Sequence, residues 1–222
     1  MEIVLKYFSE FTTEQLQQLA ALEGLYKEWN EKINVISRKD IDGLYEKHVL
    51  HSLSIAAVFD FADGAEIVDL GCGGGFPGIP LAIFFPHVQF HLVDSIAKKL
   101  KVVDEVSKAI GLKNITTQHS RIEDIKNRKF DFVISRAVAP LRDLWKWSKP
   151  PLKKDEGEVK VKNKAKVEVE KNMEYPPGLI CLKGGDLAQE IYESHTRPHI
   201  VPIKEIFAEP FFEEKYVVYV KK

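Results

Sequence analysis

The run Asp69-Leu70-Gly71-Cys72-Gly73-Gly74-Gly75-Phe76-Pro77-Gly78 constrains this chain more than any other stretch. A short apolar segment, Ile67 to Leu70, leads into it, and Ile79-Pro80-Leu81-Ala82-Ile83 follows as the start of a helix. Strand, glycine-rich turn and helix in that order open a nucleotide-binding βαβ unit. Glycine suits the turn because the backbone must reverse tightly and admit a ligand. The N–H groups at the helix start then face that ligand. A turn that serves structure alone is the alternative reading.

Two glycine registers are available. Gly73 to Gly78 fits the dinucleotide pattern G-x-G-x-x-G, but the strand would then have to run through Gly71. The other register reads Asp69-x-Gly71-x-Gly73-x-Gly75, with Phe76 where a dinucleotide motif wants glycine. An acid at the strand end before Gly-x-Gly-x-Gly resembles motif I of the class I S-adenosylmethionine methyltransferases. Chemistry favours this second register. S-adenosylmethionine has no pyrophosphate but carries an ammonium and a sulfonium, which the Asp69 carboxylate would attract directly or through water.

The alternation continues downstream. Gln89 to Val93 is predicted as a strand ending at Asp94, with a helix from Ser95 to Ile110 capped by Ser95. The Asp94 carboxylate stands where both hydroxyls of a ribose could be held. Further strands are predicted at 114–119, 130–135 and 179–182, and two apolar runs at 200–207 and 216–220 read as a closing antiparallel pair. The expected fold class is α/β, a mostly parallel, doubly wound, Rossmann-like sheet.

Residues 1–63 read as a helical segment and 64–222 as the cofactor-binding unit. Thr12 with Gln15 forms a capping box, and Leu16, Leu19, Ala20, Leu22, Leu25, Tyr26 and Trp29 repeat at helical spacing. Asn30 to Ser37 interrupts, and Asp40 or Asp42 is expected to cap a second helix. His48 and His51 could share a helix face, but two histidines make no metal site, and none is expected. Residues 149–175 break the composition, with eight lysines against six acids between two Pro-Pro pairs. That window reads as a charged insertion, either a Val159–Val169 hairpin or a solvated segment that could contact RNA.

Composition excludes other classes. Among 222 residues there are two cysteines, too few for a disulfide framework or a metal quartet, and both sit in apolar contexts that suggest buried thiols. The net charge of −1 argues against coating by polyanions. No signal-peptide pattern or membrane-length apolar run is present, so a cytoplasmic location without membrane contact is expected.

At this point the resemblance becomes specific. Asp69 to Ala82, Leu92-Val93-Asp94-Ser95, Ser120 to Asp124, Val133-Ile134-Ser135-Arg136-Ala137 and Leu182-Lys183-Gly184 resemble the ribosomal RNA small-subunit methyltransferase G family, as do Asn30–Ser37 and His48–Ser52. His51 departs from the acid usual in that family, and the insertion is longer than the usual linker. The resemblance implies a class I methyltransferase fold. It also implies N7-methylation of a guanine in 16S ribosomal RNA, with S-adenosylmethionine as donor. Small-subunit ribosomal RNA, or the assembling subunit, would be the partner, and a monomer is expected. Carried over by motif, the cofactor contacts are Gly71, Phe76, Ile122, Glu123 and Arg136. Asp69, Gly73 and Asp94 join them on the physical grounds above. Arg136 is expected to position a carboxylate or a phosphate, and Lys183 a phosphate or the guanine. Guanine N7 has a free lone pair, so no general base is assigned. A dinucleotide oxidoreductase using the shifted register, and a non-catalytic RNA-binding protein on the same fold, are the alternatives.

Overall fold

The computed structural model describes residues 1–37, 39–136, 138–154 and 175–222. Most of the proposed insertion, including the Val159–Val169 hairpin, lies outside the described residues.

Seven strands form one sheet in the order β3-β2-β1-β4-β5-β7-β6. They are β1 (Glu66–Leu70), β2 (Gln89–Asp94), β3 (Ile115–His119), β4 (Phe132–Arg136), β5 (Gly178–Gly184), β6 (His199–Pro202) and β7 (Lys215–Lys221). The first five are parallel, and β7 runs antiparallel between β5 and β6. The closing pair is therefore real, but its first strand is only four residues long. The strand order reverses direction between β1 and β4, the switch point at which open α/β sheets bind ligands.

Side chains alternate along the strands and build two cores. Ile67, Phe132, Ile134, Ile180 and Leu182 face one way, toward Leu19, Leu22, Leu50, Leu53, Ile79 and Val103. Val68, Leu70, Val133, Leu179 and Cys181 face the other, toward Leu141, Leu144 and Leu187. The first face is covered by α1 (Glu2–Leu5), α2 (Thr13–Lys32), α3 (His51–Val58), α4 (Gly78–Phe84) and α5 (Ala97–Ala109). The second carries α6 (Leu141–Ser148) and α7 (Ala188–Ser194). Both cysteines are free and buried. Among the described residues no helix is long and apolar enough to cross a membrane.

Thr12 caps α2, accepting from the Gln15 N–H while Gln15 returns a bond to the Thr12 N–H. Gln18 interrupts the apolar stripe but is buried, because its amide donates to the Ile110 carbonyl at 3.1 Å. Ala20, expected on the buried stripe, is exposed.

Two expected caps are not formed. Neither Asp40 nor Asp42 caps a helix. Asp40 pairs instead with Lys47 at 2.6 Å, and the chain rises through a 3₁₀ turn (Ile41–Gly43) into a π-helical turn (Leu44–Leu50) that runs into α3. Ser95 does not cap α5 either. The helix begins at Ala97, and the Ile96 N–H is taken by the Asp94 carboxylate at 2.8 Å, a stronger acceptor than a serine hydroxyl.

Candidate cofactor and substrate site

The glycine turn begins directly at the end of β1. Gly71 and Cys72 donate their N–H groups to the Val93 carbonyl at 2.8 and 3.1 Å, which moors the loop to β2. Because the strand stops at Leu70, the register that starts at Gly71 is the one the fold uses. Gly73 has φ +56°, and a side chain there would project into open space. The loop closes at Gly78, the first residue of α4, whose N–H donates to Asp69 Oδ2 at 2.8 Å. A Cβ at Gly78 would lie 2.8 Å from that same oxygen, so only glycine lets the helix start approach the carboxylate.

Asp69 is fully buried beneath this turn, and its Oδ1 has no hydrogen-bond partner. Burial pushes its carboxyl up to about 7. The side chain expected to face a ligand ammonium is thus enclosed under the loop and organises it. Asp94, at the end of β2, accepts from the Gly73 N–H at 2.9 Å through Oδ2 and from the Ile96 N–H at 2.8 Å through Oδ1. It ties the loop to the next helix, and each oxygen keeps a further lone pair for a hydroxyl.

Phe76, carried over as a cofactor contact, turns its side chain away from the open face of the loop. It is 3% exposed, with its ring 4.8 Å from Tyr26 and 5.2 Å from His48, so its side chain belongs to the packing between loop and helical segment. Ile122 and Glu123 lie together on a 3₁₀ turn after β3. Ile122 packs with Leu70 and Val93 at the strand ends, and Glu123 is exposed.

Arg136 leaves β4 half-buried. Its Nη1 donates to the Lys47 carbonyl at 3.3 Å, its Nη2 to His48 Nδ1 at 3.0 Å, and its Cζ lies 5.2 Å from the centre of the Phe76 ring. Burial lowers its pKa to about 10, and Asp69 opposes that shift through space. Lys183 stands apart from this group. Its ammonium donates to the Ala139 carbonyl at 2.6 Å and pairs with Glu190 of α7, and the side chain is almost wholly covered. These contacts bind the start of α6 to the end of β5, and they occupy the amine that the sequence reading gave to RNA.

Several site residues escaped the sequence reading in their roles. Tyr26 is buried, and its hydroxyl donates to the Gly74 carbonyl at 2.6 Å. Asn30 folds the segment after α2 by accepting from the Val35 and Ile36 N–H groups at 2.8 and 2.9 Å. Val35 then lies against Gly74, where a Cβ would come within 2.8 Å of it. A tyrosine on a buried stripe was the available signal, since its hydroxyl must find a partner. Burial lowers the pKa of both His48 and His51 to about 3, so both rings are neutral. Among the described residues no cluster of three or more His, Cys, Asp or Glu could hold a metal ion.

The strand order, the turn at the switch point and the carboxylate at the end of β2 define a class I methyltransferase fold. Solved structures agree on the fold. A ribosomal protein L11 methylase from Lactobacillus delbrueckii subsp. bulgaricus superposes with a TM-score of 0.52 at 14% identity, over 78% of this chain and 76% of that one. A variant of MtNAS in complex with S-adenosylmethionine gives 0.54 at 13% identity, over 93% and 76%. The sequence goes further. The profile of the rRNA small subunit methyltransferase G family matches residues 15–176. The Ribosomal RNA small subunit methyltransferase G of Phocaeicola vulgatus is 54% identical over 220 residues, covering 99% of this chain and 98% of that protein. Its counterpart in Cytophaga hutchinsonii is 49% identical, covering 99% of each. The chain belongs to the rRNA small subunit methyltransferase G family.

Proposed function

We propose that this chain uses S-adenosylmethionine to methylate N7 of a guanine in 16S ribosomal RNA. The observation that carries the reading is a family match across nearly the whole chain, joined to an intact glycine turn tied to Asp94. The residues suit this donor. The space over Gly73 is open, Asp94 beside it keeps a free lone pair on each oxygen, and Arg136 is a cation without a carboxylate partner among the described residues. Gly71, Gly73 and Asp94 would hold the nucleoside, the Ile122–Glu123 turn would flank the adenine, and Arg136 would face an anionic oxygen. Phe76 would contribute through its backbone. The donor supplies a methyl group carried on a sulfonium.

Guanine N7 presents its own lone pair, so transfer needs no prior loss of a proton. The titratable groups around the loop match that demand. Asp69 is enclosed, Asp94 is engaged by two N–H groups, and His48 and His51 are buried and neutral. None of them is poised as a general base. The chain's contribution is alignment of base and methyl, a positioning effect worth several kcal/mol. The loop is built for alignment, being moored at Val93, Asp94, Asp69 and Tyr26.

Residues 1–63 supply Tyr26, Asn30 and the π-helical turn to the site, and 64–222 supply the cofactor cleft. We place the active form in the cytoplasm, as a monomer acting on small-subunit RNA or its assembling particle. The test is transfer of a labelled methyl group to deproteinised 16S RNA and to assembled small subunits. Labelling of at least one is expected, and no labelling of either would contradict the reading.

A further inference from the structure

We infer that the π-helical turn Leu44–Leu50 is a cradle for Arg136, in which His48 is a positioning residue that holds the guanidinium ready for one oxyanion at the glycine loop. This rests on the function proposed above and identifies a part of the site outside the methyltransferase motifs.

A guanidinium only donates, so His48 Nδ1, 3.0 Å from Nη2, must offer its lone pair. The ring is then neutral, with its hydrogen on Nε2. Lys47 contributes only its carbonyl, since its own ammonium is paired with Asp40. Phe76 contributes a ring face. All three partners are uncharged. Among the described residues no carboxylate forms an ion pair with Arg136, and the remaining N–H donors of the guanidinium have no acceptor.

Holding a cation half-buried with no carboxylate in contact, and Asp69 acting on it only through space, is costly. A fold that spends a carbonyl, a ring nitrogen and an aromatic face on aiming that cation leaves its charge unspent for a ligand. The π-helical turn is itself braced for this. Ser52 Oγ, from the first turn of α3, donates to the His48 carbonyl at 2.6 Å. Single π-helical turns within α-helices concentrate at functional sites, because they redirect carbonyls and side chains. Here the redirected groups are Lys47 O and His48 Nδ1. The ligand chemistry is an oxyanion, either the carboxylate of the donor's amino-acid tail or an RNA phosphate.

The experiment compares wild type with His48→Asn, His48→Gln and His48→Leu. Asparagine places an amide oxygen near the position of Nδ1, glutamine places it one bond too far, and leucine offers none. Each protein is titrated with S-adenosylhomocysteine, with 5′-methylthioadenosine, which lacks the amino-acid tail, and with a 16S RNA fragment. kcat and KM are measured alongside. His48→Leu and His48→Gln should weaken one oxyanion ligand by about tenfold, as expected for misplacing a charge-assisted contact, and raise its KM more than they lower kcat. His48→Asn should restore most of the loss, and methylthioadenosine affinity should stay unchanged in all three. Loss confined to S-adenosylhomocysteine assigns the carboxylate, and loss confined to RNA assigns the phosphate. Unchanged affinity for both, or equal losses in Asn, Gln and Leu, or a parallel loss of methylthioadenosine, would overturn the inference. Should the leucine variant fail to fold, the contrast between Asn and Gln decides alone. A wild-type protein that binds no S-adenosylhomocysteine would instead count against the proposed function.

Discussion

Tyr26 donates its hydroxyl to the carbonyl of Gly74 at 2.6 Å, across forty-eight residues of chain and inside a buried environment. The bond joins α2 to the middle of the glycine turn. The helical segment therefore holds the glycine turn as well as covering the sheet.

Tyr26→Phe keeps the ring against Phe76 and leaves the Gly74 carbonyl unpaired. Stability should fall by about 1–2 kcal/mol. S-adenosylhomocysteine affinity should drop several-fold through the loosened turn. Urea unfolding and calorimetry check both, and unchanged affinity alongside the stability loss would show that the turn is rigid without α2.

Gly73→Asp should remove cofactor binding without unfolding the protein. The new side chain enters open space, so packing is preserved, but it puts a second carboxylate beside Asp94 and fills the cleft. The positive φ adds roughly 1 kcal/mol of strain. Affinity should fall by more than about a hundredfold. Wild-type calorimetric affinity in this variant would remove Gly73 from the site.

Asp69 makes a pH prediction with a definite sign. Burial raises its carboxyl from 3.8 to about 7 on folding. The folded state therefore binds that proton more tightly than the unfolded one. The resulting stability is complete below about pH 4 and is lost as the pH rises through 7. Asp69→Asn cannot ionise, and its amide oxygen can still accept from Gly78. Measured from pH 4.5 to 8, the variant should gain on wild type by about 2–4 kcal/mol. Parallel pH profiles would show that Asp69 is ionised throughout.

Lys183→Met separates two roles for one residue. The ammonium is bound to Ala139 and Glu190. Its removal leaves the half-buried Glu190 to the Leu141 N–H alone. Stability should fall by roughly 1–3 kcal/mol, with RNA affinity at fixed salt unchanged. A lower RNA affinity with a shallower salt dependence would restore Lys183 to the RNA interface.

Much of this was legible from local pattern. Ile67 to Gly78 announced strand, turn and helix, and the acids at the ends of β1 and β2 lie where the alternation placed them. What was not legible depends on partners that meet only after folding. Ser95 looked like a cap, yet Asp94 captured the free N–H first. The packing of the Phe76 ring was hidden because Tyr26 and His48 reach it only when the helical segment folds over the loop. The Lys183–Glu190 pair was hidden because Glu190 reaches Lys183 only once α7 folds back beside β5. The π-helical turn has the same residue pattern as an α-helix, so its different register was hidden.

On the function proposed above, the chain aligns guanine N7 with a methyl donor and removes no proton. The most direct measurement is the position of the methyl group. Labelled 16S RNA from the reaction should be digested and its modified nucleoside identified, and a parallel sample treated with borohydride and aniline. The expected product is 7-methylguanosine at one site, with chain cleavage there. A label on a ribose, on a cytosine carbon or on an exocyclic nitrogen would contradict both the assignment and the mechanism.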